Sequence, residues 1–355
     1  MKGKIARTVL VIALIGSMVM AFGLSSATAG EKKYNLSFTS AYFDKHPTVK
    51  NGWIPWTKQL ADMSKGRLTI EYFNPNTLCP SKDNFDATVD GILDIGANYN
   101  GLNPGKFPVS EVMELPLIVP SAEAGAMVVW DLYNKYPAWR NEYKGVEILW
   151  QWTSATYQLH TTKKLVKNLD DLKGMKILCW SPKLISIMKM LGANPIQVQP
   201  PDSYLALQRG MAEGVLCPLA PVRSFKITDA AKYHTIVDLL VGPFWAGANL
   251  DVWGSLPDDL KKMLKDTTGQ KLAVISGKTL DAGAIEDSDW MKSQGHEFYR
   301  LPDEERARWA QKVMPLREKW VKEMEAKGVK NAAQILEDAV SLGEKYSKVT
   351  GRGYK

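Results

Sequence analysis

Apolar residues along the chain recur at two alternating spacings. Residues 34–39, "YNLSFT", carry aromatic and apolar positions two apart and predict a first strand. Residues 53–63 switch to helical spacing and stop at Gly66, and 67–73, "RLTIEYF", return to a strand pattern. A loop, "NPNTLCPSKD", leads to a helix from about Asn84 to Asp90, ended by Gly91, and to a short third strand over 93–97. Two strand–helix–strand passages in succession predict an open α/β sheet.

The pattern restarts at 146–152, "VEILWQW", which is apolar enough for a central strand, and a second lobe is expected to open after it. A turn-rich "NLDDLKG" precedes a strand over 175–179. Ser181-Pro182 then opens a helix: serine can cap the free amides, and proline sits in the first turn without losing a bond. Gly192 closes it, and "ANPIQVQP", "DSYLALQRG" and "EGVLCP" complete another α/β passage. Residues 257–270 and 304–327 read as long amphipathic helices whose charges are solvated. Trp130, Trp139, Trp309 and Trp320 fall on helical stretches as packing anchors, whereas Trp180, Trp245 and Trp253 fall at strand-like segments rich in turn residues. Open α/β sheets place ligands at strand ends.

The N-terminus changes the compartment. Lys2, Lys4 and Arg7 precede an apolar run from Val9 to Leu24, and Ala27-Thr28-Ala29 fits small-residue cleavage, so residues 1–29 are expected to be a secretory signal peptide and the product a soluble periplasmic protein. Removing them lowers the formal charge from +7 to +4. Acids and bases are interspersed, which gives nucleic acid nothing to dock on. Three cysteines in an exported chain leave either three thiols or one disulfide plus a thiol.

Catalytic signatures are missing. The chain has no Gly-rich dinucleotide loop, no phosphate-binding loop, no His-Glu-x-x-His and no nucleophile elbow. His46, His160, His234 and His296 are far apart in sequence, and no two cysteines have zinc-site spacing, so neither metal nor cofactor is expected. A cysteine hydrolase using Cys79, Cys179 or Cys217 with His160 is a remote alternative, against the plainer reading of small buried thiols.

The order of segments resembles the solute-binding proteins of tripartite ATP-independent periplasmic (TRAP) transporters, of the dicarboxylate-binding, DctP-like type. The resemblance rests on "LSFTSAYFDKHP", "SKGRLTIEYF", "GILDIG", "GKFPVSEVMELPLIVPS", "LDDLKGMKI", "LGANPIQVQPPDSYLALQRGMAEG", "KYHT" and "WGSLPDDLKKML", in that order. It implies a non-catalytic, monomeric binding protein that hands a small solute to TRAP membrane subunits. It also implies an α/β fold of two lobes with crossing hinge strands and a long bridging helix. The first lobe would span 30–153 with a return segment at about 243–285, and the second 154–242 with C-terminal helices at about 286–355.

Against the resembled pattern, three ligand-facing positions differ. Leu178 stands where the family usually has the arginine that grips a carboxylate, Gln158 where a second arginine is common, and Cys217 where an asparagine is usual. A carboxylate buried beside leucine would lose several kcal/mol of solvation. The expected solute is therefore an amine, alcohol or compact aromatic compound, held by the faces of Trp180 and Trp245 with Tyr42, Asn98 and Asn100, and with Asp44, Glu114 or Asp251 as candidate acids. The alternative is an organic acid or sulfonate held by Lys183 or His160, with Lys82 a further candidate donor. A Cys179–Cys217 disulfide is one expectation to test, and at least two of the three cysteines are expected near the solute.

Overall fold

The computed structural model describes residues 31–351, 353 and 354; the expected signal peptide lies outside the described residues. Strands β1 (Tyr34–Thr39), β2 (Leu68–Phe73), β3 (Ile95–Tyr99), β4 (Val146–Thr153) and β10 (Pro243–Asn249) form one sheet in the order β2-β1-β3-β10-β4. The second sheet takes β5 (Tyr157–Thr161), β6 (Lys176–Cys179), β7 (Asn194–Gln197), β8 (Gly214–Pro218), β9 (Tyr233–Ile236) and β11 (Glu297–Arg300) in the order β11-β9-β5-β8-β6-β7. Each sheet organises one lobe.

Besides the later passage from β10 to β11, the chain crosses between the lobes from β4 to β5 and from β9 back to β10. The crossings are bonded to each other: Ser154 N–H donates to Gly242 O (2.8 Å), Tyr157 N–H to Leu240 O (2.9 Å), and Gly242 N–H to Ser154 Oγ (2.9 Å). Such short, paired connections are what a hinge requires, since two strands can bend together while the lobes stay rigid.

Helices α1 (Ile54–Met63) and α2 (Ala122–Lys135) cover the first sheet, and α3 (Pro182–Met190) covers the second. The α3 start behaves as its sequence dictates: Ser181 Oγ accepts from Leu184 N–H and Pro182 occupies the first turn. Helix α4 (Gln270–Ser293) bridges the lobes, packing on α2 and β4 and on the short helix Ala220–Ser224 of the second lobe. Its approach to α2 needs glycine, because a Cβ on Gly277 would lie 2.6 Å from the Ala122 carbonyl oxygen. Asp281 on the same face accepts from the Ala122 and Glu123 amides at the start of α2, a favourable place for a carboxylate.

Helices α5 (Asp303–Val313), α6 (Pro315–Ala326) and α7 (Ala332–Thr350) end the chain. Of these α5 meets α3 of the second lobe, but α7 lies along α2 of the first. Within the segment 286–355, expected with the second lobe, this last helix therefore packs on the first. The apolar stripe Ala332, Ile335, Ala339 and Gly343 drives it, and Gly343 lets the helix pass so close to Ile118 that a Cβ would sit 2.1 Å from the Ile118 carbonyl oxygen.

Candidate functional site

Both lobes wall a narrow cavity at the crossings, with free space of about 20 Å³, room for about one water, so a larger guest requires the lobes to part. Tyr42, Tyr99, Leu102, Ser154 and Phe244 come from the first-lobe side; Tyr157, Trp180, Pro218 and Phe225 come from the second, and Leu280 from the bridging helix. Among the described residues no charged side chain lines it. Tyr42 stacks on His46 with ring centroids 3.8 Å apart and leans on Phe244 at 5.4 Å. Trp180 is anchored by its indole N–H, which donates to Ser203 Oγ at 2.9 Å, and meets the edge of Phe225 at 5.9 Å. Each ring is fixed from behind, so its face or edge is held ready for a guest.

The polar end lies where Tyr99 bonds Glu114. Glu114 is buried on the turn Ser110–Glu114, and its carboxyl accepts from the Tyr99 hydroxyl. Burial, helped by the neighbouring Glu111 charge, pushes the Glu114 carboxyl up to about 8. Glu111 itself reaches across the lobes to Lys183 at 3.3 Å. A second pocket lined by Asn76, Ser81, Lys82, Gln199 and Asp202 adjoins the cavity, sharing Ala41, Leu102 and Pro200 with it.

Two of the nine residues expected at the site, Tyr42 and Trp180, line this cavity, while Lys183 does not line it and is held in the ion pair with Glu111. The other six lie elsewhere. Asn98 is spent within the first lobe, its amide donating to Ser81 O at 2.5 Å and its oxygen accepting from Tyr99 N–H. Asn100 donates to Ser110 Oγ and Tyr143 Oη, each at 2.7 Å. Leu178 and Cys217 are core residues of the second sheet, and Trp245 is core of the first, packed on Phe85 at 5.1 Å.

Gln158 is a hinge residue. Its amide nitrogen donates to Thr156 Oγ1 (2.9 Å) and Asp238 Oδ1 (2.7 Å), while its oxygen accepts from Val237 N–H (2.7 Å) and Asp238 N–H (3.0 Å). Asp238, held in the left-handed region at φ 48°, also pairs with Arg300 at 2.5 Å. The glutamine thus clasps one crossing to the other.

All three cysteines are free thiols. The parallel register of β6 on β8, Ile177 beside Gly214 and Leu178 beside Val215, carries Cys179 level with Leu216 rather than Cys217. The two side chains consequently leave their strands on opposite faces, which removes the expected disulfide. No thiol lines the cavity, against the expectation of two near the solute. Burial pushes the Cys179 and Cys217 thiols well up, and the His160 ring reaches the Cys217 carbonyl, not its sulfur. That arrangement leaves the Cys217 thiol without His160 as a base.

The residues missed by sequence reasoning are chiefly Tyr99, Tyr157, Ser154, Phe225 and Phe244. Tyr99, Tyr157 and Phe244 each sit one position from an expected residue, so a strand-face signal existed but was taken with the wrong parity.

A cavity walled by two hinged α/β lobes is the arrangement of a solute-binding protein. Residues 39–324 match the family described as bacterial extracellular solute-binding protein, family 7 (DctP). The chain belongs to that family, as a TRAP solute-binding protein. It is similar to a TRAP solute-binding protein of Rhodoferax ferrireducens solved with copurified benzoate, at 26% identity and a TM-score of 0.85, covering 90% of this chain and 100% of the other. A marine metagenome TRAP protein specific for aromatic acids, solved with 3-hydroxybenzoate, is likewise 26% identical with a TM-score of 0.84, covering 89% and 99%. The C4-dicarboxylate-binding periplasmic protein DctP of Rhodobacter capsulatus is 23% identical over 322 residues, 89% of this chain and 95% of that protein.

Proposed function

We propose that this protein captures a compact aromatic solute in the periplasm and presents it to TRAP membrane subunits, holding it by ring contacts and hydroxyl groups in place of an arginine clamp. One observation carries the reading. Six aromatic rings, Tyr42, Tyr99, Tyr157, Trp180, Phe225 and Phe244, surround the cavity from both lobes, and no charged side chain among the described residues joins them. A solute touching both sets of rings favours the closed form, because only that form offers all the contacts. Phenolic, alcoholic or amine donors can be accepted by the Tyr99 and Ser154 oxygens, whose own protons go to Glu114 and Ala155 O, and can be met by the Tyr157 hydroxyl, whereas a carboxylate would enter without a cation at several kcal/mol.

A second reading, an aromatic acid or sulfonate, is favoured by the benzoate and 3-hydroxybenzoate of the two related structures. It requires Lys183 to leave Glu111 for the solute. His160 does not serve, since both its ring nitrogens are committed inside the second sheet.

A thermal-shift screen of the purified protein separates the readings, because a solute that binds only the native form raises its melting temperature. Matched phenols, aryl alcohols and aromatic amines should raise it more than benzoates, aryl sulfonates or C4-dicarboxylates. Hits confined to aromatic acids or sulfonates select the second reading, and hits confined to aliphatic dicarboxylates overturn both.

A further inference from the structure

Three of the four histidines, separated in sequence by 74 and 62 residues, meet in one hydrogen-bonded chain through the second sheet. His160 Nε2 lies 3.1 Å from Cys217 O, and His160 Nδ1 lies 2.7 Å from His234 Nδ1. His234 Nε2 lies 2.8 Å from His296 Nδ1, and His296 Nε2 lies 3.1 Å from Lys232 Nζ. All three rings are buried, and those of His234 and His296 are parallel within 5°.

The two ends fix every proton. A carbonyl oxygen only accepts, so His160 carries its proton on Nε2 and leaves Nδ1 bare. His234 must then donate from Nδ1, which leaves its Nε2 to accept from His296 Nδ1–H. The bare His296 Nε2 accepts from Lys232. One set of tautomers satisfies all four contacts, and all three rings in it are neutral. A second proton on any ring would set two donors face to face, or a cation against the Lys232 ammonium.

Sequence position ties this chain to the cavity. Cys217, the terminal acceptor, precedes Pro218, and Pro218 pairs with Tyr157 at the start of β5; both of those residues line the cavity. His234 lies on β9, which runs directly into the crossing 237–242. We propose that the His160–His234–His296 chain is an acid-sensitive lock on the strands that build the second-lobe wall: proton uptake breaks it and loosens β5, β8 and β9 together. That the loosened wall matters for solute retention rests on reading the interlobe cavity as the solute site; the lock itself does not.

The surrounding groups support the direction. Burial holds His160 down at about 4 and lowers His234 further, with His160, His296 and Lys232 adding repulsion there. His296 is lowered by burial and by Lys232, while Asp229 pulls the other way. The remaining neighbours are the Cys217 thiol, the Phe298 ring 4.6 Å from His234, Lys292 over that ring, and the Asp238–Arg300 pair at the ends of β9 and β11. An unfolded imidazole takes its proton near pH 6.5. These folded rings resist it, so the lock is fully present above that pH and is lost as pH falls below it.

Nitrogen-15 NMR of histidine-labelled, solute-free protein tests the lock at pH 7.5. It should find His160 protonated on Nε2, and His234 and His296 on Nδ1, all neutral and none titrating near 6.5. Amide hydrogen exchange, corrected for intrinsic rates, should show protection in β5, β8 and β9 falling at least tenfold between pH 7 and 5 while β1 to β3 hold. In His296→Gln, whose amide can donate to His234 and accept from Lys232 without titrating, that fall should shrink. A ring in the opposite tautomer, a midpoint near 6.5, or protection in the second sheet that stays flat with pH would overturn the proposal, even if the variant failed to fold. Because no solute is used, these outcomes are independent of the solute assignment.

Discussion

Tyr99, Tyr157, Pro218 and Phe244 face the cavity, while the residues beside them on the same strands, Asn98, Gln158, Cys217 and Trp245, turn into the protein. The two faces differ in how their polar groups are used. Behind the wall, Gln158 spends its amide on two backbone N–H groups, a hydroxyl and a carboxylate, and His160 spends both nitrogens. In front, aromatic faces line the narrow free space, and the hydroxyls beside them already spend their protons, Tyr99 on Glu114 and Ser154 on Ala155 O. The contrast separates rigidity from recognition: one face fixes the hinge and sheet, and the other is free to take a guest.

Removing the clasp should give the largest effect. Gln158→Ala leaves the Val237 and Asp238 amides and the Asp238 carboxylate short of partners, and each buried group left unmade costs about 1–3 kcal/mol. Denaturant unfolding should show a loss of about 3–5 kcal/mol. A loss within about 0.5 kcal/mol would erase the distinction between the faces.

On the cavity face, Trp180→Ala should weaken solute binding at least tenfold, about 1.4 kcal/mol, measured by titration calorimetry with the strongest hit of the thermal screen. Gln158→Glu, in contrast, keeps the acceptor for both backbone amides and should change that affinity less than threefold if it folds.

A smaller effect concerns pH. The Glu114 carboxyl is raised to about 8, above its unfolded range near 4.3. Its contribution to stability is therefore fully present below the unfolded value and is lost as pH rises through about 8. Glu114→Gln keeps an acceptor for Tyr99 and should flatten the fall of melting temperature between pH 6 and 8.5. The flattening should be partial, because Glu142 is also raised to about 8 by burial. An alkaline limb as steep as in the parent protein would show that Glu114 is already ionised.

Smallest is the loss of the cross-lobe pair. Lys183 and Glu111 are partly exposed, and such pairs contribute about 0–1 kcal/mol. Lys183→Gln should lower solute affinity fivefold or less and reduce its salt dependence. A drop of tenfold or more, seen only with anionic solutes, would favour the aromatic-acid reading.

Much of the architecture was legible in the sequence. The strands expected at 34–39 and 146–152 match β1 and β4 closely, and the Ser181-Pro182 opening caps α3 as its chemistry dictates. These elements declare themselves through local rules of spacing and capping. The inward face of the central strands did not. β3, β5, β8 and β10 are buried at every position, so no polar alternation marks which side meets the cavity. Tyr42 and Trp180, which lie between regular elements, were legible because no parity had to be chosen. The histidine chain was invisible for another reason: sheet pairing alone brings His160 opposite His234 and lays His234 beside Phe298.

The most direct test is a crystal structure of the protein with the solute that most raises its melting temperature. The account predicts a compact aromatic ring between Trp180 and Phe244, its polar substituent within hydrogen-bond distance of Tyr99, Tyr157 or Ser154, with Lys183 still paired to Glu111 and Gln158 still bound to Asp238. A solute whose carboxylate or sulfonate is held by Lys183, or one that contacts Gln158 with the Asp238 clasp broken, would contradict it.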